Sequence, residues 1–444
     1  MSMYQLPEHS LLRKKQFLYG VATASFQIEG AADSRLPCIW DTFCATAGKI
    51  KDGSDGKTAC DHLRLWRDDL DLIESLGVDA YRLSLSWPRL IQLDGELNPT
   101  GLQFYIDLLD ELKARNIKSF VTLYHWDLPQ HLEDKGGWLN RETAYKFADY
   151  VEKVSTAFGD RVYSYATLNE PFCSSFLGYE VGVHAPGLTG RGNGRKSAHH
   201  LLLAHGLGLQ VLRRTAPHAL NGLVLNFTPC YPHTDSAADK AVAEQADQYY
   251  NQWYLQPVMT GQYPDYFQKL IAEEKPDIQP GDMALISQPL DFLGVNFYTR
   301  HVYTANSDQE FAVVDMKDAE KTDIGWEIYP QAFYDLLTSM HQKYKLPPIY
   351  ITENGAAGAD HVEEGQVHDE QRQRYYQLHL NAVHQAVEAG VDVQGYFAWS
   401  LMDNFEWAEG YSKRFGIVYV DYNTQQRTIK QSGHAYRQLL QSRT

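Results

Sequence analysis

Eight short apolar runs recur along the chain, at residues 17–23, 80–87, 118–125, 162–169, 221–227, 291–298, 348–353 and 393–400. Each is strand-length and rich in β-branched or aromatic residues. Amphipathic stretches lie between them. Over 61–76, Leu63, Trp66, Leu70 and Ile73 share one helical face, and Gly77 follows as a stop. Asn98 before Pro99 reads as an N-cap with proline at the first helical position, and Leu102, Ile106, Leu109 and Leu112 continue one face. Asn140 likewise precedes a helix carrying Phe147, Val151, Val154 and Phe158, closed by Gly159. Strands alternating with helices imply parallel β/α units. Eight of them make a closed (β/α)8 TIM barrel with enlarged βα loops the simplest arrangement. The runner-up is an open doubly wound sheet, but no run leads into a G-x-G-x-x-G turn. Neither a low-complexity tract nor a Pro/Ser-rich linker divides the 444 residues, so 1–444 reads as one catalytic barrel domain.

The charge balance narrows the partners. Lys plus Arg is 40 against 56 Asp plus Glu, a net charge of −16. That sign repels phosphate backbones and anionic lipid, which argues against nucleic-acid and membrane-surface roles. Aromatic residues make up 13% of the chain, with 29 Tyr and 9 Trp, a surplus suited to stacking on flat apolar ligand faces. Five cysteines with irregular spacing and no C-x-x-C pair fit reduced thiols. With no secretory h-region and no apolar stretch of spanning length, the expectation is a cytoplasmic protein.

In a barrel of this kind, chemistry sits where strands end at their carboxyl side. The first run leads into Gln27 and Glu29, the second contains Arg82, and the third ends at His125 and Trp126. The fourth ends in Thr-Leu-Asn169-Glu170-Pro, the sixth in Asn296-Phe-Tyr298 and the seventh in Ile-Thr-Glu353-Asn354-Gly. The eighth ends in Trp399-Ser-Leu-Met-Asp403-Asn404-Phe-Glu406-Trp407. Amides, carboxylates and indoles thus gather at one rim. Glu170 and Glu353 belong to strands four and seven, which face each other across a barrel mouth. Two acids across a cleft are what glycosidic cleavage requires, one protonating the leaving oxygen and the other attacking or activating water. Either acid alone reads more simply as a cap or an ion-pair partner.

These segments resemble family 1 glycoside hydrolases of the β-glucosidase type. The likeness rests on Phe-Gln27-Ile-Glu-Gly, Tyr-Arg82-Leu-Ser-Leu-Ser-Trp-Pro-Arg, Tyr-His125-Trp-Asp-Leu-Pro and the four strand-end motifs above, in the family's order over positions 17 to 416. The resemblance implies the same (β/α)8 fold and a retaining exo-β-glucosidase that also accepts β-galactosides and β-fucosides. It makes Glu170 the general acid/base and Glu353 the nucleophile. Arg82 and the Tyr298 hydroxyl are expected to favour an ionised Glu353, while Glu170, near that anion and without a cation of its own, is expected to keep its proton. Retention places the two carboxylates about 5–5.5 Å apart.

Position by position, the resemblance assigns the sugar pocket as well. Gln27 and Glu406 hold hydroxyls on the far side of the ring. His125, Asn169 and Trp407 bond the middle ones, with Asn169 at the 2-hydroxyl, and Asn296 supports them. Trp399 forms the floor, and Trp326 stands at the mouth for a second sugar or aryl group. Cys173, Leu177 and His184 are candidates for lining the entrance.

Glu406 also bears on subclass, because members acting on 6-phosphorylated sugars carry Ser there, followed by Lys and Tyr. Here Lys413 is present but Phe415 replaces the Tyr. An unphosphorylated substrate such as cellobiose or an aryl glucoside, as in cellulose degradation, is the reading. A 6-phospho-β-glycosidase or a non-catalytic carbohydrate-binding relative are the alternatives. His199, His200 and His205 form no H-E-x-x-H pattern, so neither a metal nor another cofactor is expected. The acidic run Asp68-Asp69-Leu-Asp71 reads as a solvated helix face.

Overall fold

The computed structural model describes residues 4–444. The eight runs form β1 (Leu18–Ala22), β2 (Ala80–Ser84), β3 (Lys118–Tyr124), β4 (Ser164–Asn169), β5 (Leu220–Phe227), β6 (Phe292–Phe297), β7 (Ile349–Asn354) and β8 (Val393–Trp399). Every neighbouring pair is parallel, and β1 closes the sheet by pairing with both β2 and β8. The chain is a closed eight-stranded barrel wrapped by helices. One expected strand is shorter than its apolar run. Trp87 begins a helix, Trp87–Leu90, because Pro88 lacks the N–H that a strand must donate and a first helical turn does not need.

The flanking helices follow their capping signals closely. His62–Leu76 buries Trp66, Leu70 and Ile73 and stops at Gly77, whose φ of 74° suits glycine. Pro99–Ala114 starts after Asn98, whose side chain accepts from the Thr100 N–H. Glu142–Phe158 begins two residues past Asn140, whose Oδ1 accepts from the Glu142 N–H at 3.0 Å. The acidic run is only partly solvated, which corrects the reading above. Asp68 and Asp71 are exposed, but Asp69 is buried, accepting from Arg427 and paired with His62 at 2.8 Å. A carboxylate in that position is held by its partners and cannot face water.

Inside the barrel, Phe120, Phe292, Tyr350 and Phe397 pack with Leu18, Ala80, Ala166 and Val224. Burying one such phenyl ring contributes about 1.5–3 kcal/mol. Gly20 is required beside them, since a β-carbon there would stand 2.4 Å from the Phe397 ring. The interior is therefore a plug, and a ligand can approach only from the rim.

At that rim the strands lose register. β4 slips against β5 between Ala166 and Asn169, and β7 slips against β6 between Ile351 and Glu353. Such irregularities re-aim the side chains that follow them. Extra structure is added at the same end. A three-stranded sheet (Cys230–Pro232, His301–Thr304, Ala312–Val313) grows from the loops after β5 and β6. All five cysteines are free, and among the described residues no helix is long and apolar enough to cross a membrane.

Candidate active site

A cavity of about 500 Å³ opens at the carboxyl ends of the strands. Among the residues singled out in the sequence, His125, Glu170, Tyr298, Trp326, Glu353, Trp399, Glu406 and Trp407 line it, together with Cys173, Leu177 and His184. Gln27, Arg82, Asn169 and Asn296 are fully or almost fully buried and stand outside that lining, and the last three bond to residues of the wall.

Glu353 is held from two directions. Arg82 Nη1 donates to its Oε1 at 2.7 Å, and the Tyr298 hydroxyl donates to Oε2 at 2.6 Å. Arg82 is itself only 2% exposed, so water does not weaken the pair. Gly355, two residues on, explains why this motif ends in glycine: a β-carbon would lie 1.8 Å from the Trp399 carbonyl.

Among the described residues no cation is bonded to Glu170. Its Oε1 accepts from Asn296 Nδ2 at 2.6 Å and its Oε2 from the Cys173 thiol at 3.0 Å. Burial, reinforced by the negative charge of Glu353, pushes its pKa up to about 8. The two acids at one cavity therefore have opposite surroundings. Glu406 makes a third. Burial and the charges of Glu353 and Glu170 raise its pKa well above the usual carboxylate range, and among the described residues its Oε2 has no partner.

The amides behind the wall are locked in orientation. Thr352 Oγ1 donates to Asn296 Oδ1 at 2.6 Å, which turns Asn296 Nδ2 toward Glu170 and toward Asn169 Oδ1. Asn169 Oδ1 also accepts from Arg82 Nη2 at 2.7 Å, so its Nδ2 faces His125 Nε2 at 3.2 Å. Burial and Arg82 hold the His125 pKa well below its ordinary value, which keeps the imidazole neutral. Its ring stacks between Trp399 and Trp407, with interplanar angles of 19° and 16°. Gln27 Nε2 is spent on Asn404 Oδ1 and the Phe405 carbonyl, while its Oε1 has no partner among the described residues.

Part of the backbone strain lies here. Trp126, Glu170 and Trp407 adopt φ of 80°, 48° and 51°, a region that side-chain-bearing residues rarely occupy. Each costs of order 1–3 kcal/mol, sustained by the packing around it.

Several lining residues were not read from the sequence: Phe172, Phe176, Asn226, Tyr250, Tyr303 and Ile324. They lie on the long loops or at the end of β5, with no strand-end motif to announce them. Lys413, the lysine weighed as a phosphate ligand, is instead paired with Asp323 at 2.8 Å. His199, His200 and His205 are structural, bonded to Tyr263 and Asp282, the Trp138 carbonyl, and Thr167 respectively.

Comparison with known proteins fits this geometry. The model of glycosyl hydrolase family 1 matches residues 10–444. The chain belongs to that family. Among this family 1 hydrolase's curated relatives is a β-glucosidase of Agrobacterium sp., 47% identical over 432 residues that cover 95% of this chain and 93% of that one. A bifunctional β-D-glucosidase/β-D-fucosidase of Bifidobacterium breve is 42% identical, covering 97% and 98%. The solved family 1 β-glucosidase of Thermotoga maritima superposes with a TM-score of 0.94 at 42% identity, covering 100% and 99%.

Proposed function

We propose that this family 1 enzyme is an exo-acting β-glucosidase that releases terminal β-D-glucosyl residues with retention, and that 1–444 acts as one catalytic domain. The observation that carries this is the contrast between Glu353, bonded to Arg82 and Tyr298, and Glu170, pushed up to about 8 at the same cavity. In the first step a Glu353 oxygen forms a bond to the anomeric carbon as the bond to the leaving oxygen breaks. Glu170 gives that oxygen its proton. Glycosylation then removes the charge of Glu353, one of the two causes that raise Glu170. The Glu170 proton affinity falls and it becomes the base for the incoming water, whose oxygen bonds to the anomeric carbon from the face the leaving group vacated, opposite Glu353, as the bond to Glu353 breaks.

Glu406 Oε2 and Gln27 Oε1, both without partners, suit donors on the sugar. Asn169 is assigned to the 2-hydroxyl, His125 and Trp407 to the neighbouring hydroxyls and Trp399 to the apolar floor. Asn296 and Arg82 position them. Trp326, 5.3 Å from Tyr298 and 5.9 Å from Phe415 between ring centroids, is assigned to the aglycone. An unphosphorylated glycone is favoured over a 6-phosphate, because the cavity offers Glu406 and Phe415 where a dianion needs cations, and Lys413 is occupied. Cellobiose and aryl glucosides are the proposed substrates, with a place in cellulose breakdown. Five unpaired thiols support a cytoplasmic site.

Proton NMR of p-nitrophenyl β-glucoside hydrolysis tests this reading, run beside the 6-phosphate. β-Glucose as the first product, with the phosphorylated substrate inert, is expected. α-Glucose first, or preference for the phosphate, sinks it.

A further inference from the structure

Near the carboxyl end of the helix Glu370–Glu388, one turn apart and on one face, stand His384 and Glu388. His9 reaches them from the other end of the chain. One donor atom from each of the three lies within 4.8 Å of the others, and among the described residues no other trio of His, Cys, Asp or Glu does so. We propose that His9, His384 and Glu388 bind a zinc ion, which clips the amino-terminal segment onto this helix.

The donor set is the first support. Two imidazoles and a carboxylate, with water in the fourth position, suit zinc, whereas calcium and magnesium ask for oxygen ligands throughout. The second support is His384 itself. It is 8% exposed, its Nδ1 is buried without a partner, and neither of its ring nitrogens has a hydrogen bond among the described residues. A buried imidazole left so is costly in a native fold unless something else satisfies it. Gln5, Leu6, Pro7, Asn381 and Gln385 line the hollow beside it, so no lysine or arginine there repels a cation.

Geometry allows the ion. His9 Nε2 and Glu388 Oε2 are 3.9 Å apart, while ligands of tetrahedral zinc stand about 3.3–3.5 Å from one another. Closing that gap asks only for rotation of His9 and Glu388, which are 70% and 51% exposed. The backbone under His9 is already fixed, since the Ser10 N–H donates to the Pro7 carbonyl at 3.0 Å and Ser10 is fully buried. Further along, Gln5 and Gln377 exchange two hydrogen bonds, so the segment already runs beside the helix. Because the helix returns from the rim, its carboxyl end lies at the opposite end of the barrel from the cavity. The ion is therefore structural, and catalysis does not depend on it.

Calorimetric titration of the chelator-treated full chain with zinc chloride is the test, with anomalous scattering at the zinc edge to locate the ion. One ion per chain is expected, at His9 and His384, with a raised melting temperature. Binding should weaken at least about tenfold in His384→Ala, Glu388→Gln and His9→Ala. The last of these removes an exposed side chain, so it leaves the fold intact. The kcat/KM for an aryl glucoside should be equal with and without zinc. Absence of one-to-one binding, undiminished binding in His9→Ala, or an ion located elsewhere would overturn the proposal.

Discussion

Asp360, Asp369 and Asp403 meet Arg372, Arg414 and Lys430 in a buried cluster of three acids and three bases, with ion pairs of 2.5–2.7 Å. At the cavity, Glu170, Glu353 and Glu406 are also buried or nearly so, yet the cation bonded to any of them is Arg82, and it reaches Glu353. The loop after β8 serves both places: Asp403 is fully bonded, and three residues later Glu406 is left with a bare oxygen. The first cluster is neutral by charge pairing. In the second, pairing is withheld, so a carboxyl must keep its proton, and that proton is what the reaction consumes. Rigidity and reactivity are thus made from the same residue types by changing the number of cations.

Removing members of each cluster breaks the contrast in different currencies. The largest effect is expected for Glu353→Ala. Its kcat/KM should fall by about five orders of magnitude, roughly 7 kcal/mol at 1.36 kcal/mol per decade, with the folded structure kept by circular dichroism. Glu170→Ala should lose about 10²–10⁴-fold on alkyl glucosides, whose leaving group needs a proton. It should lose far less on dinitrophenyl glucoside, and azide should restore part of the rate as the β-glucosyl azide. Equal loss on both substrates would deny Glu170 its role as acid.

In the balanced cluster the damage should appear in stability. Lys430→Met leaves Asp360 and Asp403 short of a partner, which costs about 3–5 kcal/mol read from urea unfolding. The kcat/KM of the fraction that stays folded should be unchanged.

The smallest effect has the opposite sign. The folded Glu170 carboxyl titrates at about 8 against an ordinary 4.5, so between those values the folded state holds a proton that the unfolded chain has released. Stability contributed by that proton is present below pH 4.5 and is lost as pH rises to 8. Glu170→Gln should therefore stabilise the protein by about 1–2 kcal/mol at pH 8 and by little at pH 4.5. A variant that is destabilised at pH 8 would contradict the strained protonation of Glu170.

The barrel was legible in the sequence because each strand is a dense apolar run and each helix begins or ends at a local signal, as at Asn98 and Gly77. Legibility failed where a distant partner changed the meaning of a residue. Asp69 looks solvated until Arg427, from the far end of the chain, is brought against it. Trp87 failed for a local reason instead, since it looks like strand until the proline after it is counted. At the site, the pairing of Arg82 and Tyr298 with Glu353 was readable, because Arg82 lies on β2 and the other two stand at the carboxyl ends of β6 and β7. Thr352, which orients Asn296, and the aromatic wall of Phe172, Phe176 and Tyr250 were not. Thr352 sits within β7 and finds its partner on β6, and the positions of the aromatics depend on how long loops fold over the mouth, which no period in the sequence encodes. His9, His384 and Glu388 are the extreme case, three donors with no local motif.

The central claim is that Glu353 attacks while Glu170 carries the proton. Inactivation with 2,4-dinitrophenyl 2-deoxy-2-fluoro-β-glucoside, followed by peptide mass spectrometry, tests it most directly. The account predicts one fluoroglucosyl group per chain, on Glu353. A group attached to any other residue, or steady hydrolysis of the reagent with no adduct at all, would contradict it.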